Sequence, residues 1–240
     1  VSFRTIAFFF LFLPNWQTVF EHVNGTVEGP VAAMSGNLTR VDCRDTRVSV
    51  RFGMYGVPDI PRTRFTFDVA SLETNEADVA FILGDIAGRT LQPTDAERLR
   101  RMGRISFTGR FDGLFRDFAA SGRLGMDQGN VNLKLNFKSL QARTAGFSGE
   151  VRTDGFDLGS LLQVPKLGRF TLSAGVTGSY GGGMLKLKTK ADLPRIYYNG
   201  YDYHDIELNG EFDNRSFLGA IQSKDENLSF DFDGQLAFND

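Results

Sequence analysis

The 240-residue sequence contains one cysteine, Cys43, and two histidines, His22 and His204. A single cysteine excludes an internal disulfide framework and a cysteine-rich metal site. Two histidines leave little material for a zinc centre or for His-based catalysis. Long apolar runs are missing as well. The run Ile6–Leu13 in the opening segment VSFRTIAFFFLFLP is 8 residues, whereas a membrane-spanning helix needs about 20. There is no charge surplus: 27 basic against 29 acidic residues leave a net charge of -2, which gives no support for a nucleic-acid partner. Phosphate loop, dinucleotide fingerprint, zinc-ligand spacing and nucleophile elbow are all lacking. Acid-rich spots at Asp42, Asp45, Asp202, Asp205, Asp225 and Glu226 have neither ligand spacing nor a nucleophile beside them, and read as solvated turns. No enzyme is therefore expected, with no catalytic residue, no metal and no cofactor.

What the chain does have is phenylalanine and glycine: 23 Phe against 6 Tyr and 1 Trp, and 27 Gly against 7 Pro. Phe carries bulk without a polar handle. Its placement alternates. Leu228, Phe230, Phe232, Leu236 and Phe238 share one parity, with Ser229, Asp231, Asp233, Gln235 and Asn239 on the other. The same alternation runs through Val131–Phe137, Phe170–Val176, Leu185–Lys190, Val48–Phe52 and Ile206–Phe212. Each run predicts a strand with one greasy and one wet face, hence antiparallel sheet. Lys186, Lys188 and Lys190 fall on a wet face. Tyr197, Tyr198, Tyr201 and Tyr203 suit a wet aromatic ladder across strands. Helix signals are few: Thr94–Glu97 has capping-box spacing, with helix formers to Met102 and a stop at Gly103, and Asp157–Leu162 has one turn's length before Pro165. Cys43 reads as a small, partly buried apolar residue and Trp16 as a packing anchor near the first strand.

Thirteen glycines sit in the frame apolar-x-Gly-x-apolar, where the composition gives about 4.5 by chance. They include Gly84, Gly109, Gly149, Gly210 and Gly234. Glycine on the greasy face removes bulk and lets a sheet curl toward that face. Gly109, Gly149, Gly210 and Gly234 are therefore the expected groove-curving positions. A β-sandwich or closed barrel uses glycine in the same way and stays open as the alternative fold.

There is an internal echo. Phe67-Asp68-Val69-Ala70-Ser71-Leu72 returns as Phe156-Asp157-Leu158-Gly159-Ser160-Leu161, 89 residues on, and Met102–Phe107 returns as Leu167–Leu172, 65 residues on. The unequal spacing predicts a degenerate array with insertions, about 15–100 and 101–240, behind an apolar segment 1–14 that suits a signal, an anchor or an ordinary strand.

The order of several segments carries a family resemblance. Gly103–Leu124 reads GRISFTGRFDGLFRDFAASGRL, Gly149–Leu162 GEVRTDGFDLGSLL and Leu167–Gly178 LGRFTLSAGVTG. Tyr197–Gly210 reads YYNGYDYHDIELNG, Phe217–Gly219 FLG and Asp225–Gly234 DENLSFDFDG. This order resembles the TamB family of AsmA-like envelope proteins, the translocation and assembly module component of the inner membrane, in its Bacteroidetes-type form. It is strongest over about 62–240. The resemblance implies an all-β fold with one or two short helices: an elongated, strongly curved sheet (a β-taco) around an open hydrophobic groove. It also implies a periplasmic bridge, anchored in the inner membrane of a diderm bacterium, that moves phospholipid between the two membranes. Such proteins support outer-membrane protein and envelope assembly with an Omp85-type outer-membrane barrel. This chain is far shorter than a complete member and shows no anchor helix or C-terminal partner-binding domain. An interior segment is expected, with membrane association and barrel docking belonging to the longer protein.

The expected groove lining is Phe107, Phe111, Leu133, Leu135, Phe137, Phe170, Leu172, Leu185, Leu187, Leu208, Phe212, Phe230 and Phe232. Acyl chains gain about 0.8 kcal/mol per buried CH₂ and need no hydrogen bond, so no sharp motif is expected. The alternative function is a structural module that captures a β-strand at an open sheet edge, without lipid transport.

Overall fold

The period-two runs become thirteen antiparallel strands in one sheet, hydrogen-bonded in strict chain order. The computed structural model describes residues 21–81, 93–139 and 144–237. The segment 1–14, Trp16, Gly84 and Phe238 lie outside the described residues. The first strand pairs only with the second and the last only with the twelfth, so the sheet is open, neither barrel nor sandwich, among the described residues. None of the described helices is long and apolar enough to cross a membrane.

The chain divides into two compact units, 1–115 with 122–127 and 116–121 with 128–240. The first holds β1 (His22–Glu28), β2 (Ala33–Cys43), β3 (Thr46–Tyr55), β4 (Arg64–Thr74) and β5 (Ile105–Leu114), with helices α1 (Glu76–Phe81) and α2 (Pro93–Met102) between the last two. Most of its greasy face is covered: Met34, Leu38, Val41, Cys43, Phe52, Met54, Phe65, Val69, Ile105 and Phe107 are buried, and Val50, Phe67 and Phe111 are half-buried. Register breaks at Asn24/Gly25, Leu38/Val41, Ser49/Val50 and Val69/Leu72 lie at one level of the ladder and place the extra residues on β2, at Thr39–Arg40, and on β4, at Ala70–Ser71. Each inserted residue adds local twist and bends its strand.

Helix α1 has no counterpart in the helix signals of the sequence. It forms because Asn75 caps it: the Asn75 side-chain oxygen accepts from the Asp78 N–H at 2.9 Å. Asp78 is fully buried beneath Thr46, whose hydroxyl donates to it at 2.8 Å, and the Arg44 guanidinium lies 3.3 Å from its other oxygen. Thr46 and Thr74 also share a 2.8 Å hydrogen bond. A buried carboxylate is tolerable only with such partners. Helix α2 ends as its sequence requires, with Gly103 at φ +69° and its N–H on the Arg100 carbonyl.

β6 (Asp117–Met126) is divided between the units. The second unit continues with β7 (Gly129–Ser139), β8 (Ala145–Asp157), α3 (Leu158–Leu162), β9 (Leu167–Gly181), β10 (Met184–Tyr198), β11 (Tyr201–Asp213), β12 (Ser216–Asp225) and β13 (Leu228–Ala237). The β10–β11 turn shows how sequence sets register. Asn199 at φ 50° and Gly200 at φ 91° are the only residues between the paired Tyr198 and Tyr201. Asn-Gly is the preferred pair for a two-residue hairpin whose central residues both need positive φ.

The two copies of the internal echo take different local structure. Phe67–Leu72 lies wholly within β4, where Asp68 meets Arg110 at 2.9 Å across the strands. Phe156–Leu161 leaves the strand after Asp157, which caps α3 by accepting from the Ser160 N–H at 2.9 Å and hydroxyl at 2.7 Å. The same Asp serves a ladder in one place and a helix start in the other.

Candidate functional site

Register places eleven of the thirteen expected lining residues on one face of the second unit. Three transverse rows run along that face. Leu133–Val151–Ala174–Ala191–Leu208–Ile221–Phe232 forms one and Phe137–Phe147–Gly178–Leu187–Phe212–Phe217–Leu236 another. Between them lies Leu135–Gly149–Val176–Thr189–Gly210–Gly219–Gly234. Three of the four expected curving glycines therefore share a single row. The sequence showed that glycine replaces side chains on the greasy face, but not that the replacements line up across strands.

The middle of this face is small and covered, and its flanks are large and uncovered. Ala174, Thr189, Ala191 and Gly210 are buried. Leu133, Leu135, Phe137, Leu172, Leu185, Leu187, Leu208, Phe212 and Phe232 are half-buried, and Phe230 is exposed. Phe170 is half-buried beside the buried Phe156, edge to face at 5.9 Å. The other two lining candidates belong to the first unit. Phe107 is 6% exposed and Phe111 is half-buried, their rings 5.0 Å apart, with Gly109 between them paired to Val69.

Some glycines seat aromatic rings. A methyl group on Gly210 would meet the Phe217 ring, and one on Gly178 would come within 2.9 Å of the Phe147 ring. Phe217 is 1% exposed as a result and contacts Phe212 at 4.6 Å. Ring-over-glycine packing recovers the contact that the missing side chain gives up.

The second unit has no second layer with which to cover its greasy face: its described elements are strands of one sheet and the five-residue α3. Stable domains ordinarily pair two layers. Burying a Leu or Phe fully is worth about 1.5–3 kcal/mol, so eleven partly covered side chains leave on the order of 10 kcal/mol of burial unrealised. That rivals the net stability of a whole domain.

The opposite face is wet. Lys188 meets Glu211 and Lys224 meets Glu207, each at 3.2 Å, and the Gln222 amide donates to Asp231 at 2.6 Å. Two shallow depressions of about 340 and 510 Å³ are lined mainly by this face, at Lys190, Asp192, Glu207 and Asp231 and at Lys186, Lys188, Glu211 and Leu218. A third of about 440 Å³ lies at the bulges of the first unit, by Thr39, Arg40, Arg47 and Ser71. Exposed ion pairs of this kind contribute about 0–1 kcal/mol each. No nucleophile–base pair lines any of the three, and no group of three or more His, Cys, Asp or Glu is placed to hold a metal among the described residues.

The acid-rich spots have structural work. Asp225 is buried in the β12–β13 turn, accepting from the backbone N–H groups of Asn227 at 2.8 Å and His204 at 2.9 Å, and from the Tyr201 hydroxyl at 3.4 Å. These donors, Asn227 first, hold its carboxyl below the usual aspartate range against the opposing pull of burial. The Asn227 amide donates to the same Tyr201 hydroxyl, which ties the two hairpins together. Asp42 is likewise lowered, chiefly by the hydrogen bond from Arg40, whose guanidinium lies 2.6 Å away. Cys43 is buried and its thiol is pushed up by that burial, which disfavours the thiolate. The tyrosines do not form one ladder. Tyr201 and Tyr203 are half-buried, edge to face at 4.7 Å, whereas Tyr197 and Tyr198 are exposed on opposite faces of the hairpin end.

Comparison of the chain with protein-family models, curated proteins and solved structures returns no match.

Proposed function

We propose that the second unit holds phospholipid acyl chains along its greasy face, as one segment of a TamB-like periplasmic bridge between inner and outer membrane. The observation that carries this reading is the uncovered apolar face itself, with small buried residues along its middle and half-buried Leu and Phe on both flanks. A surface of this kind favours hydrocarbon over water without fixing any one group. The lipid head group needs no protein partner and stays in water. Apolar rows spanning seven strands let a chain shift between equivalent contacts at little cost in energy. The motif order from Gly103 to Gly234 supports placement in this family. Membrane anchoring and Omp85-type barrel docking belong, in this reading, to the longer protein. No chemical step is part of it.

The test is lipid retention. The purified chain is incubated with phospholipid, separated from vesicles and assayed by native mass spectrometry. Bound lipid is expected, with a loss of about fivefold or more in Ala191→Trp, which fills the floor, and in Leu208→Asn, which wets it. Lys188→Glu on the wet face is expected to retain lipid. Circular dichroism separates loss of lipid from loss of fold. Absence of lipid from the folded wild-type chain overturns the reading.

A second reading, capture of a β-strand, is favoured by β13. Its ten residues pair with β12 without a register break, and its other edge is unpaired among the described residues. Long regular edges template further strands. Strand capture with no retained lipid would support it over the first.

A further inference from the structure

Asparagine is followed by glycine three times in the chain, at Asn24-Gly25, Asn199-Gly200 and Asn209-Gly210. This dipeptide can rearrange without an enzyme. The glycine nitrogen attacks the side-chain carbonyl carbon of the asparagine, and no Cβ on the glycine hinders its approach. The nitrogen comes level with the asparagine Cβ only when the asparagine ψ is about −120°, the value at the first central residue of a type II′ turn.

The three sites differ in how they can reach that angle. Asn24 and Asn209 lie within strands β1 and β11, where ψ is about +135°. Gly210 is buried and paired on both sides, with Thr189 and Gly219. Turning Asn209 to the attack angle therefore disrupts the ladder from β10 to β12. Asn24 and Gly25 are paired on one side only, with Arg40 and Leu38. They are released when β1 lifts from β2.

Asn199 and Gly200 are exposed and stand outside the ladder, between the paired Tyr198 and Tyr201. Their φ angles, 50° and 91°, are those of a type I′ turn. In that turn the Gly200 nitrogen faces away from the Asn199 side chain. A swing of the one peptide unit between them converts type I′ to type II′, the other two-residue turn that suits a hairpin. The swing carries Asn199 to the attack angle and leaves the Tyr198–Tyr201 closure intact. It also spares the bond from the Asn199 N–H to the Lys166 carbonyl, 2.7 Å long, because that nitrogen precedes the moving unit. The Gly200 N–H has no hydrogen-bond partner among the described residues, and no atom stands within 4 Å of where a Gly200 methyl group would be.

We propose that Asn199-Gly200 is a site of spontaneous main-chain rearrangement in the folded protein, while the ladder protects the other two pairs. The Gly200 nitrogen bonds to Asn199 Cγ, and the side-chain nitrogen leaves as ammonia with the proton from Gly200. The five-membered imide then takes up one water. Opening at its Cγ carbonyl gives aspartate. Opening at its main-chain carbonyl gives isoaspartate, in which the chain runs through the side-chain carbons. No oxidant or cofactor takes part. Aspartate keeps the turn, since it tolerates positive φ. Isoaspartate adds a carbon to a two-residue loop whose length sets the β10–β11 register. The hairpin end then loosens from the α3–β9 link that it meets at Lys166. The free α-carboxyl of the product is a substrate for methyl transfer. None of this depends on lipid.

The test is ageing of the whole folded chain in mildly alkaline buffer, with the same chain in guanidinium chloride as reference. Peptide mass spectrometry reads the replacement of NH₂ by OH at each site. Methyl transfer from S-adenosylmethionine by an isoaspartyl methyltransferase reads the isoaspartate. Unfolded, the three sites should react at similar rates. Folded, Asn199 should stay within about tenfold of its unfolded rate, and Asn209 should fall about a hundredfold or more below its own, since it reacts only when the sheet opens. Asn24 on the edge strand should lie between. Asn199→Gly keeps the turn, because Gly-Gly also suits type I′. That variant should lose most of the isoaspartate, with circular dichroism and the rates at Asn24 and Asn209 unchanged. Ageing should lower the Tm of the wild type more than that of the variant. Faster reaction at Asn24 or Asn209 than at Asn199 in the folded chain overturns the proposal. So does protection of Asn199 equal to that of Asn209, or absence of isoaspartate at 199 from the folded chain while the unfolded chain forms it.

Discussion

Asp225 shows how much one buried carboxylate can organise. It closes the β12–β13 turn through Asn227, reaches back to the His204 N–H on β11, and takes the Tyr201 hydroxyl. All of these donors favour the ionised form, so its folded pKa lies below the unfolded value of about 3.9. The sign of the linkage follows. Its contribution to stability is fully present above the unfolded value and is lost as pH falls through the lower folded one. Asp42, Asp157, Asp202 and Asp213 are depressed as well, so acid destabilises the chain through several groups together. Asp225→Asn isolates one of them. The variant should melt below the wild type at pH 7, and the gap in Tm should close as the pH is taken down toward 3. A gap that stays constant down to pH 3 would show that the charge is irrelevant and only the shape of the turn matters. In the sequence the DEN triplet reads as a solvated turn. Glu226 and Asn227 are exposed as that reading has them, but the burial of Asp225 depends on Tyr201 and His204 arriving from another hairpin, which local pattern does not reveal.

Strands were legible because their signal is local. Val131, Leu133, Leu135 and Phe137 alternate within a few residues, and that alone fixes which face each takes. Register between strands was less so, except where a turn dictates it, as at Asn199-Gly200. Bulges were invisible. The extra residues at Thr153/Phe156 and Asp192/Arg195 shift parity part-way along a strand, and nothing in the composition of those stretches announces them. Helix α1 is not legible locally because its stabilisation comes from Thr46 and Arg44, about thirty residues earlier in the chain. Glycine was legible in kind but not in duty. Gly149, at φ +146°, would place a methyl group 2.0 Å from the Lys134 carbonyl oxygen on β7. Gly149 therefore sets how closely β7 and β8 approach, in a way that no side chain tolerates. Gly149→Ala is expected to cost about 1–3 kcal/mol in urea denaturation. Gly175→Ala, where the nearest atom is the Lys190 carbonyl oxygen at 3.9 Å and φ is ordinary, should be within about 0.5 kcal/mol of wild type. Equal costs at the two sites would remove the case for close strand approach at Gly149.

The two units spend their apolar residues differently. The first buries much of its Met, Val and Phe, among them Met34, Val41, Phe52, Phe65 and Val69, and the second leaves most of its Leu and Phe half open. A ligand that binds only the folded state stabilises it by RT ln(1 + [L]/Kd), about 2.7 kcal/mol at a hundred times Kd. Amides that exchange only by opening of the structure the ligand bridges should then slow about a hundredfold. If acyl chains occupy the second unit, that slowing belongs to the middle strands β9–β12, whose small central residues form the floor. Strands β2–β4 in the first unit cover more of their greasy face, with Met34, Leu38, Phe52, Phe65 and Val69 buried, and their exchange should change far less. Hydrogen exchange with and without a short-chain phospholipid below its micelle concentration reads both at once. Slowing confined to β9–β12 is the expected outcome. Uniform slowing across both units would point to general stabilisation, and slowing confined to β13 would favour an edge contact over an occupied face. The comparison is sharp because both units share one chain, one temperature and one lipid concentration, so only the difference in their exposed apolar surface can separate them.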